Sequence, residues 1–176
     1  MMDVTGPEML DWLRSRRSVR TFSAEPIARE VLVRLLDGAT SAPSNTNRQP
    51  WRFTVVRSIE ARERLAEALR QRWATNAPVV IVVSVDPRPC SARYGDRGER
   101  LYAIQDTSAA VQNILMAAVD RGLASCWIGA FNSEAVRDAI GQNAPIEPVA
   151  ILPVGYSAES AGRPARRPLA EVASWI

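Results

Sequence analysis

Val79-Val80-Ile81-Val82-Val83-Ser84-Val85 is the stretch of sequence that decides the fold. Every residue in it except Ser84 is β-branched and apolar, and such residues favour an extended strand. A strand with one solvated face alternates apolar and polar residues, whereas this run is apolar at both odd and even positions. Strands of that kind lie inside a sheet that is covered on both faces. The run therefore predicts a central strand at 79–85.

Other elements are predicted on both sides of this strand from hydrophobic spacing and turn residues. Strands are predicted at 51–57, 124–131 and 149–154, and helices at 8–16, 59–74, 101–121 and 132–141. A further helix begins near Pro26, and Gly38 and Pro43 mark its end. The segment 86–99 contains prolines and glycines among charges and is predicted to be a loop. The tail 155–176 ends in apolar residues, so we expect it to dock onto another surface. Helices come first, followed by mixed strands and helices, which indicates an α+β or α/β domain.

The helix predicted at 101–121 carries no charge between Asp106 and Asp120. A helix that is apolar on most of its circumference is buried on most sides. Its own domain or a partner subunit would supply that cover.

Composition limits the classes of function. The 176 residues fit one domain, and the net charge of +3 is an excess of arginine too small to identify a nucleic-acid binder. There is no histidine and there are only two cysteines, so His-dependent triads and His-containing zinc sites are excluded. Chemistry carried by an organic cofactor becomes more favoured. The N-terminal residues lack a signal-peptide pattern and no stretch is long and apolar enough to span a membrane, so we expect a cytoplasmic protein with reduced cysteines.

Two polar segments are candidates for ligand binding. Arg16-Arg17-Ser18-Val19-Arg20 places three arginines and a hydroxyl after a helix, and arginine pairs bidentately with phosphate oxygens. The alternative is a solvated basic stretch whose arginines suit the helix C-terminus. The segment 42–51, A-P-S-N-T-N-R-Q-P-W, offers donors and acceptors that suit the edge of a heterocycle. Its alternative is an ordinary turn-rich connection.

Taken together, several segments resemble the nitroreductase family. They are R-R-S-V-R-x-F at 16–22, the 42–51 loop, G-L-A-S-C-W-I-G-A-F at 122–131, V-G-Y at 154–156 and R-R-P-L-A-E-V at 166–172. The resemblance runs from about Asp11 to Trp175 with the motifs in the family's order. It implies one FMN-binding α+β domain over 1–176, with a central mixed or antiparallel sheet flanked by helices. It also implies an intertwined homodimer, with FMN at the subunit interface.

The resemblance further implies roles for particular residues. Arg16 and Ser18 match positions that contact the FMN phosphate and ribityl chain, and Arg20 matches a basic position near the flavin pyrimidine. The loop at 43–47 would come from the other subunit, the backbone at 128–129 would approach flavin N5 and O4, and Arg166 would contact the phosphate. The complete predicted set of cofactor-binding residues is Arg16, Arg17, Ser18, Arg20, Pro43, Ser44, Asn45, Asn47, Ile128, Gly129 and Arg166. No metal site and no catalytic side chain is predicted, because flavin N5 carries the chemistry.

The expected reaction is hydride transfer from NADH or NADPH through flavin N5 to an electron-poor acceptor, such as a nitroaromatic or a quinone, in a ping-pong order. Two alternatives remain: other flavin chemistry on the same fold, such as flavin fragmentation or reductive dehalogenation, and a non-enzymatic basic module that binds nucleic acid. The lack of clustered lysines and interleaved exposed aromatics argues against the second, so nucleic acid is not expected as a partner. A membrane is not expected either, because no stretch is long and apolar enough to span one.

Some positions depart from the family pattern, and the two cysteines need separate interpretation. Ile128 is apolar where larger members carry an acidic residue, and Arg70 and Gln71 stand where many members have a flavin-contacting asparagine. Cys126 is expected in the core. Cys90 falls in the predicted loop, where exposure is an open alternative.

Overall fold

The computed structural model describes residues 9–176. The α-helices are α1 (Met9–Ser15), α2 (Arg29–Thr40), α3 (Ile59–Ala68), α4 (Arg88–Arg97), α5 (Ala103–Asp120) and α6 (Ser133–Ala139). The strands are β1 (Trp51–Val56), β2 (Val79–Val85), β3 (Ala124–Ser125) and β4 (Glu147–Gly155). Short 3-10 helices lie at Asn45–Asn47, Arg72–Asn76 and Leu169–Glu171, and a π-helical turn at Gly98–Tyr102 joins α4 to α5.

The strands form a sheet in the order β1-β2-β4-β3, with every adjacent pair antiparallel. All seven residues of β2 are buried, as the sequence predicted for a central strand. Successive side chains of a strand point to opposite faces. Val79, Ile81 and Val83 accordingly pack in a core with α2 and α5, whereas Val80 and Val82 pack in a second core with α3 and α6. The sheet is therefore covered by helices on both sides.

Helix α5 lies across one face of the sheet and against α2. Gly38 allows close approach, because a Cβ there would lie 3.3 Å from the Cβ of Ala117. The Asn113 side chain also donates a hydrogen bond of 3.0 Å to the Gly38 carbonyl. The predicted burial of α5 is confirmed, and the protein's own chain supplies much of the cover.

The prediction of a loop at 86–99 was wrong, because α4 occupies most of it. Pro87 and Pro89 fall at the start of the helix, where a missing N–H costs nothing. Gly95 adopts a positive φ of 54° at a kink, and buried Gly98 packs against the Cys90 backbone. Residues that usually end helices thus occupy positions where a helix tolerates them. Cys90 is consequently fully buried.

Several predicted boundaries also moved. The strand predicted at 124–131 is regular only at Ala124–Ser125, with a single further bridge from Ile128 to Ile151. Helix α2 begins at Arg29, after an extended Ala28, so Pro26 lies before it. Helix α3 ends at Ala68, because Leu69 is extended, and the predicted 69–74 part becomes a 3-10 helix at Arg72–Asn76. The N-cap predicted at Asn132 is confirmed by a 3.0 Å hydrogen bond from the Ala135 N–H to its side chain.

The C-terminal tail does not dock within the described chain. Leu169, Val172, Trp175 and Ile176 are all exposed, and Trp175 retains 91% of its accessible surface. No surface within residues 9–176 covers the apolar end of this tail, although the sequence predicted that the tail would dock.

Asp86, which directly follows β2, forms ion pairs with Arg52 and Arg88. Its buried carboxylate accepts hydrogen bonds from Arg88 and Arg52 at 2.8 to 3.0 Å, and the Arg88 side chain is the main reason that the pKa of Asp86 lies below its usual value. A lowered carboxyl pKa stabilises the folded state above the unfolded pKa, and this stabilisation is lost as pH falls through the folded pKa.

We expect Asp86→Asn to lose about 2 kcal/mol of unfolding free energy at pH 7. The difference should shrink below about pH 4, as measured by urea unfolding across pH. The exposed Asp96→Asn is the control, and an equal loss at every pH would contradict this assignment.

Candidate functional site

The segment from Arg16 to Arg20 runs beside β3. Ser18 forms a parallel bridge with Ser125, and the Val19 N–H donates to the Ser125 carbonyl at 3.1 Å. Val19 is buried, while Ser18 is half-buried and Arg20 is exposed. The inward position that the sequence suggested for Val19 is therefore found, and the residues on either side of it reach the surface.

These side chains line one open cleft of about 370 Å³. Its walls are Arg14, Arg16, Arg17, Ser18 and Arg20 on one side, and residues 159–164, from Glu159 to Pro164, on the other. The structure thus brings together the four predicted residues of the Arg16–Arg20 segment. Five arginines contribute to the cleft when Arg163 is included. An arginine-rich cleft of this kind suits a phosphate group.

The arginines of the cleft do not all have the same role. Arg17 donates through Nη1 to the carbonyls of Arg14, Ser15 and Arg16 at 2.6 to 3.0 Å, so it caps the end of α1. For Arg17, the structure therefore agrees with the alternative given above, in which an arginine stabilises the C-terminus of a helix. Arg16 instead points its Nη1 toward Ser18 Oγ at 3.4 Å. Within residues 9–176 neither Arg16 nor Arg20 forms a salt bridge, although the charge of Arg20 contributes to the lowered pKa of Glu159 in the opposite wall.

Glu159 is a residue of the cleft that the sequence did not reveal. Its Oε1 accepts hydrogen bonds from the backbone N–H groups of Arg20 at 2.5 Å and Thr21 at 3.2 Å. Its Oε2 accepts from the Thr21 hydroxyl at 3.1 Å. The Arg20 backbone hydrogen bond is the main reason that the pKa of Glu159 is lowered. No motif marks this residue, since the contact joins segments that are 139 positions apart.

One of the tail arginines reaches the cleft. Arg163 lines the cleft, whereas Arg166 is exposed further along the tail and is not part of its wall. The role of Arg166 on a phosphate stays a prediction.

Cys126 lies close to Arg16 and Arg20 and is buried, as predicted. Burial raises the pKa of its thiol, and the nearby charges of Arg20 and Arg16 act in the opposite direction. A buried thiol of raised pKa is a poor nucleophile. Cys126 is therefore a core residue close to the arginines of the cleft.

Ile128 and Gly129 follow on the same strand edge. Ile128 exchanges both backbone hydrogen bonds with Ile151 at 3.0 Å, which fixes the path of the main chain. Gly129 is exposed, and a Cβ added to it would come no closer than 4.0 Å to the nearest heavy atom, Trp127 Nε1. The chain itself has room for a side chain at this position. A requirement for glycine here would thus come from a bound molecule that approaches the backbone.

The loop at 43–49 has an unusual backbone. Thr46, Asn47 and Gln49 adopt positive φ values of 44°, 58° and 49°. Non-glycine residues in this region cost about 1–3 kcal/mol each, and a β-branched threonine is especially unfavourable there. Internal hydrogen bonds hold the turn: the Gln49 N–H donates to Ser44 Oγ at 3.1 Å, and the Gln49 side chain donates to Asn47 Oδ1 at 2.9 Å. Strain of this kind concentrates at functional sites.

This loop and the arginine cleft are not joined within one chain. None of Pro43, Ser44, Asn45 and Asn47 is among the cleft-lining residues.

Arg70 is exposed, and the neighbouring Gln71 Oε1 is buried without a hydrogen-bond partner in the described chain. Residues 9–176 contain no cluster of side chains suited to a metal ion. No described helix is long and apolar enough to cross a membrane.

Comparisons with known proteins agree with this architecture. A sequence model of the Nitroreductase family matches residues 13–76 and 66–156. A provisionally named NADH dehydrogenase/NAD(P)H nitroreductase of Archaeoglobus fulgidus is 35% identical over 154 residues, covering 85% of this chain and 85% of that protein. A nitroreductase family protein of Clostridium difficile 630 has a TM-score of 0.85 at 29% identity, covering 96% of this chain and 98% of its own. A provisionally named nitroreductase of Exiguobacterium sibiricum 255-15, solved in complex with FMN, shares the fold with a TM-score of 0.87 at 23% identity, covering 98% of this chain and 99% of its own. The chain belongs to the Nitroreductase family.

Proposed function

We propose that this protein is an FMN-dependent oxidoreductase that transfers electrons from NADH or NADPH to an electron-poor acceptor, such as a nitroaromatic or a quinone. The observation that carries the proposal is the cleft in which Arg16, Ser18 and Arg20 lie together, with neither guanidinium group in a salt bridge within residues 9–176. The name of the Archaeoglobus relative, an NAD(P)H nitroreductase, supports the same class of reaction.

The residues present fit FMN. Arg16 and Ser18 would bind the phosphate and the ribityl chain, with Arg163 as a further donor from the opposite wall. Arg20 would lie near the pyrimidine end of the flavin, where its fixed positive charge favours the reduced, anionic form. The open side of Gly129 would receive the ring edge next to backbone groups of Ile128. Arg166 and Arg17 complete the proposed set, Arg17 by holding the end of α1.

When bound, FMN would supply two-electron hydride chemistry between the nicotinamide and the acceptor, and we expect a ping-pong order. The chain's own contribution is to bind, orient and tune this group. Such a reaction needs no protein base, which agrees with a sequence without histidine.

We also propose that the active form is a homodimer, with the chain acting as one domain in each subunit. Pro43, Ser44, Asn45 and Asn47 would reach the cleft of the second subunit, because they lie outside the cleft of their own. The exposed tail, with Trp175 and Ile176, would find its cover on that subunit. Light scattering of the purified protein tests this, and a monomer at all concentrations that still binds FMN would contradict it.

Gly129→Ala separates a ligand requirement from a folding requirement. Because the added Cβ meets nothing nearer than 4.0 Å, the unfolding free energy should change by less than about 0.5 kcal/mol. The same methyl group would project toward the proposed flavin ring and should weaken FMN binding by about tenfold. Chemical denaturation and FMN titration measure the two quantities. Unchanged FMN affinity would contradict the placement of the ring at Gly129.

Turnover tests the reaction. The FMN-loaded protein should oxidise NADH or NADPH in the presence of a nitroaromatic or a quinone, and double-reciprocal plots at several acceptor concentrations should be parallel. Intersecting lines would contradict the ping-pong order. Absence of turnover despite bound FMN would contradict this acceptor class.

A further inference from the structure

Asp106 is a buried carboxylate that the proposed function does not use. It lies in the first turn of α5 and is 8% exposed. Its Oδ2 accepts a hydrogen bond of 3.0 Å from the backbone N–H of Asn45, and Cys90 Sγ lies 3.9 Å from the same oxygen. No salt bridge in the described part of the chain includes Asp106. A buried carboxylate without a cation is costly, so its retention calls for a compensating role.

The hydrogen bond from Asn45 lies where the strained loop begins. Thr46, Asn47 and Gln49 all have positive φ, and such a backbone persists only when its surroundings hold it. The bonds from Gln49 to Ser44 and Asn47 lie inside the loop and cannot fix its position on the protein. Asp106 belongs to the long helix α5 and therefore provides a rigid external attachment. A second, longer contact from α4 joins the Tyr94 hydroxyl to Thr46 Oγ1 at 3.4 Å.

We infer that Asp106 is a positioning residue that holds the 43–49 loop in the conformation needed for cofactor binding. The inference rests on the proposed function, in which this loop contacts the FMN of the second subunit. Asp106 does not itself reach the ligand, because its carboxylate faces Asn45 and Cys90 inside the chain.

Hydrogen exchange of the Asn45 amide tests the attachment without any cofactor. In FMN-free protein studied by NMR, Asp106→Ala should accelerate this exchange at least about tenfold, because the amide loses its buried acceptor. Asp106→Asn keeps an acceptor oxygen and should stay within about threefold of the unmodified protein. Thr107→Val is the control, since it removes a neighbouring buried hydroxyl that bonds only to Ala103 of the same helix, at 2.8 Å. Equal exchange in Asp106→Ala and the unmodified protein would overturn the inference.

FMN titration then tests the consequence for binding. The dissociation constant should rise at least about fivefold in Asp106→Ala and stay within about twofold in Asp106→Asn and Thr107→Val. Faster exchange with unchanged FMN affinity would overturn the positioning role and leave the proposed function intact. Failure of the unmodified protein to bind FMN would overturn the proposed function, while the exchange experiment would still decide whether Asp106 holds the loop. Should Asp106→Ala not fold, Asp106→Leu has similar volume without an acceptor and carries the same expectations.

Discussion

Arg16→Ala is expected to raise the dissociation constant for FMN by about 10- to 100-fold, because it removes charge-assisted hydrogen bonds to the phosphate. The Arg16 guanidinium has no carboxylate partner within residues 9–176, so its removal leaves no unpaired acid in the cleft and should not destabilise the fold. Quenching of FMN fluorescence on titration measures the effect. Arg34→Ala removes an exposed arginine of α2 that is outside the cleft and serves as the control.

Arg20→Ala should behave differently from Arg16→Ala. If Arg20 lies at the pyrimidine end, its loss mainly lowers the reduction potential of bound FMN and changes the affinity less. Potentials measured against a redox dye, together with the two dissociation constants, separate these roles. Equal affinity and equal potential in both variants would show that the roles are wrongly assigned.

Gly98→Ala is expected to be the most destabilising single change considered. A Cβ at this position would overlap the Cys90 carbonyl oxygen and lie 2.7 Å from its carbonyl carbon and 2.9 Å from Tyr94 Cβ. Two of these three atoms are backbone and cannot rotate away, so α4 and the π-helical turn must separate. We expect a loss of about 3 kcal/mol in unfolding free energy, at the upper end of the range for overpacking.

Urea unfolding of this variant needs a control with the same chemical change. Gly162→Ala provides it, because a Cβ there would meet nothing within 4 Å. Its unfolding free energy should stay within about 0.5 kcal/mol of the unmodified protein. Equal stability of the two variants would contradict the tight packing of Gly98 on Cys90.

The sheet could be predicted because the β2 sequence is informative at every position. Its β-branched residues are apolar on both faces, and the structure buries both faces under helices. Helix α4 was missed because its segment contains Pro87, Pro89 and Gly95, residues that are also typical of loops. Only their places in the helix, at its first turn and at its kink, show why they are tolerated there. Local sequence contains no signal for that distinction.

The candidate site was predictable where its residues are adjacent in sequence. Arg16, Ser18 and Arg20 belong to one motif, and the structure places them in one cleft. Glu159 and Arg163 were missed, because their positions depend on contacts across the whole chain. The positive φ of Thr46 was also unpredictable, since threonine rarely adopts it and contacts of this loop such as that of Asn45 with Asp106 join residues far apart in the sequence.

An anaerobic absorbance titration tests the central claim most directly. The purified protein is mixed with FMN, freed of unbound FMN by gel filtration, and titrated with NADH and, separately, with NADPH. The claim predicts that flavin absorption bands elute with the protein and that at least one nicotinamide bleaches them. Protein that stays colourless after incubation with FMN, or bound flavin that neither nicotinamide reduces, would contradict it.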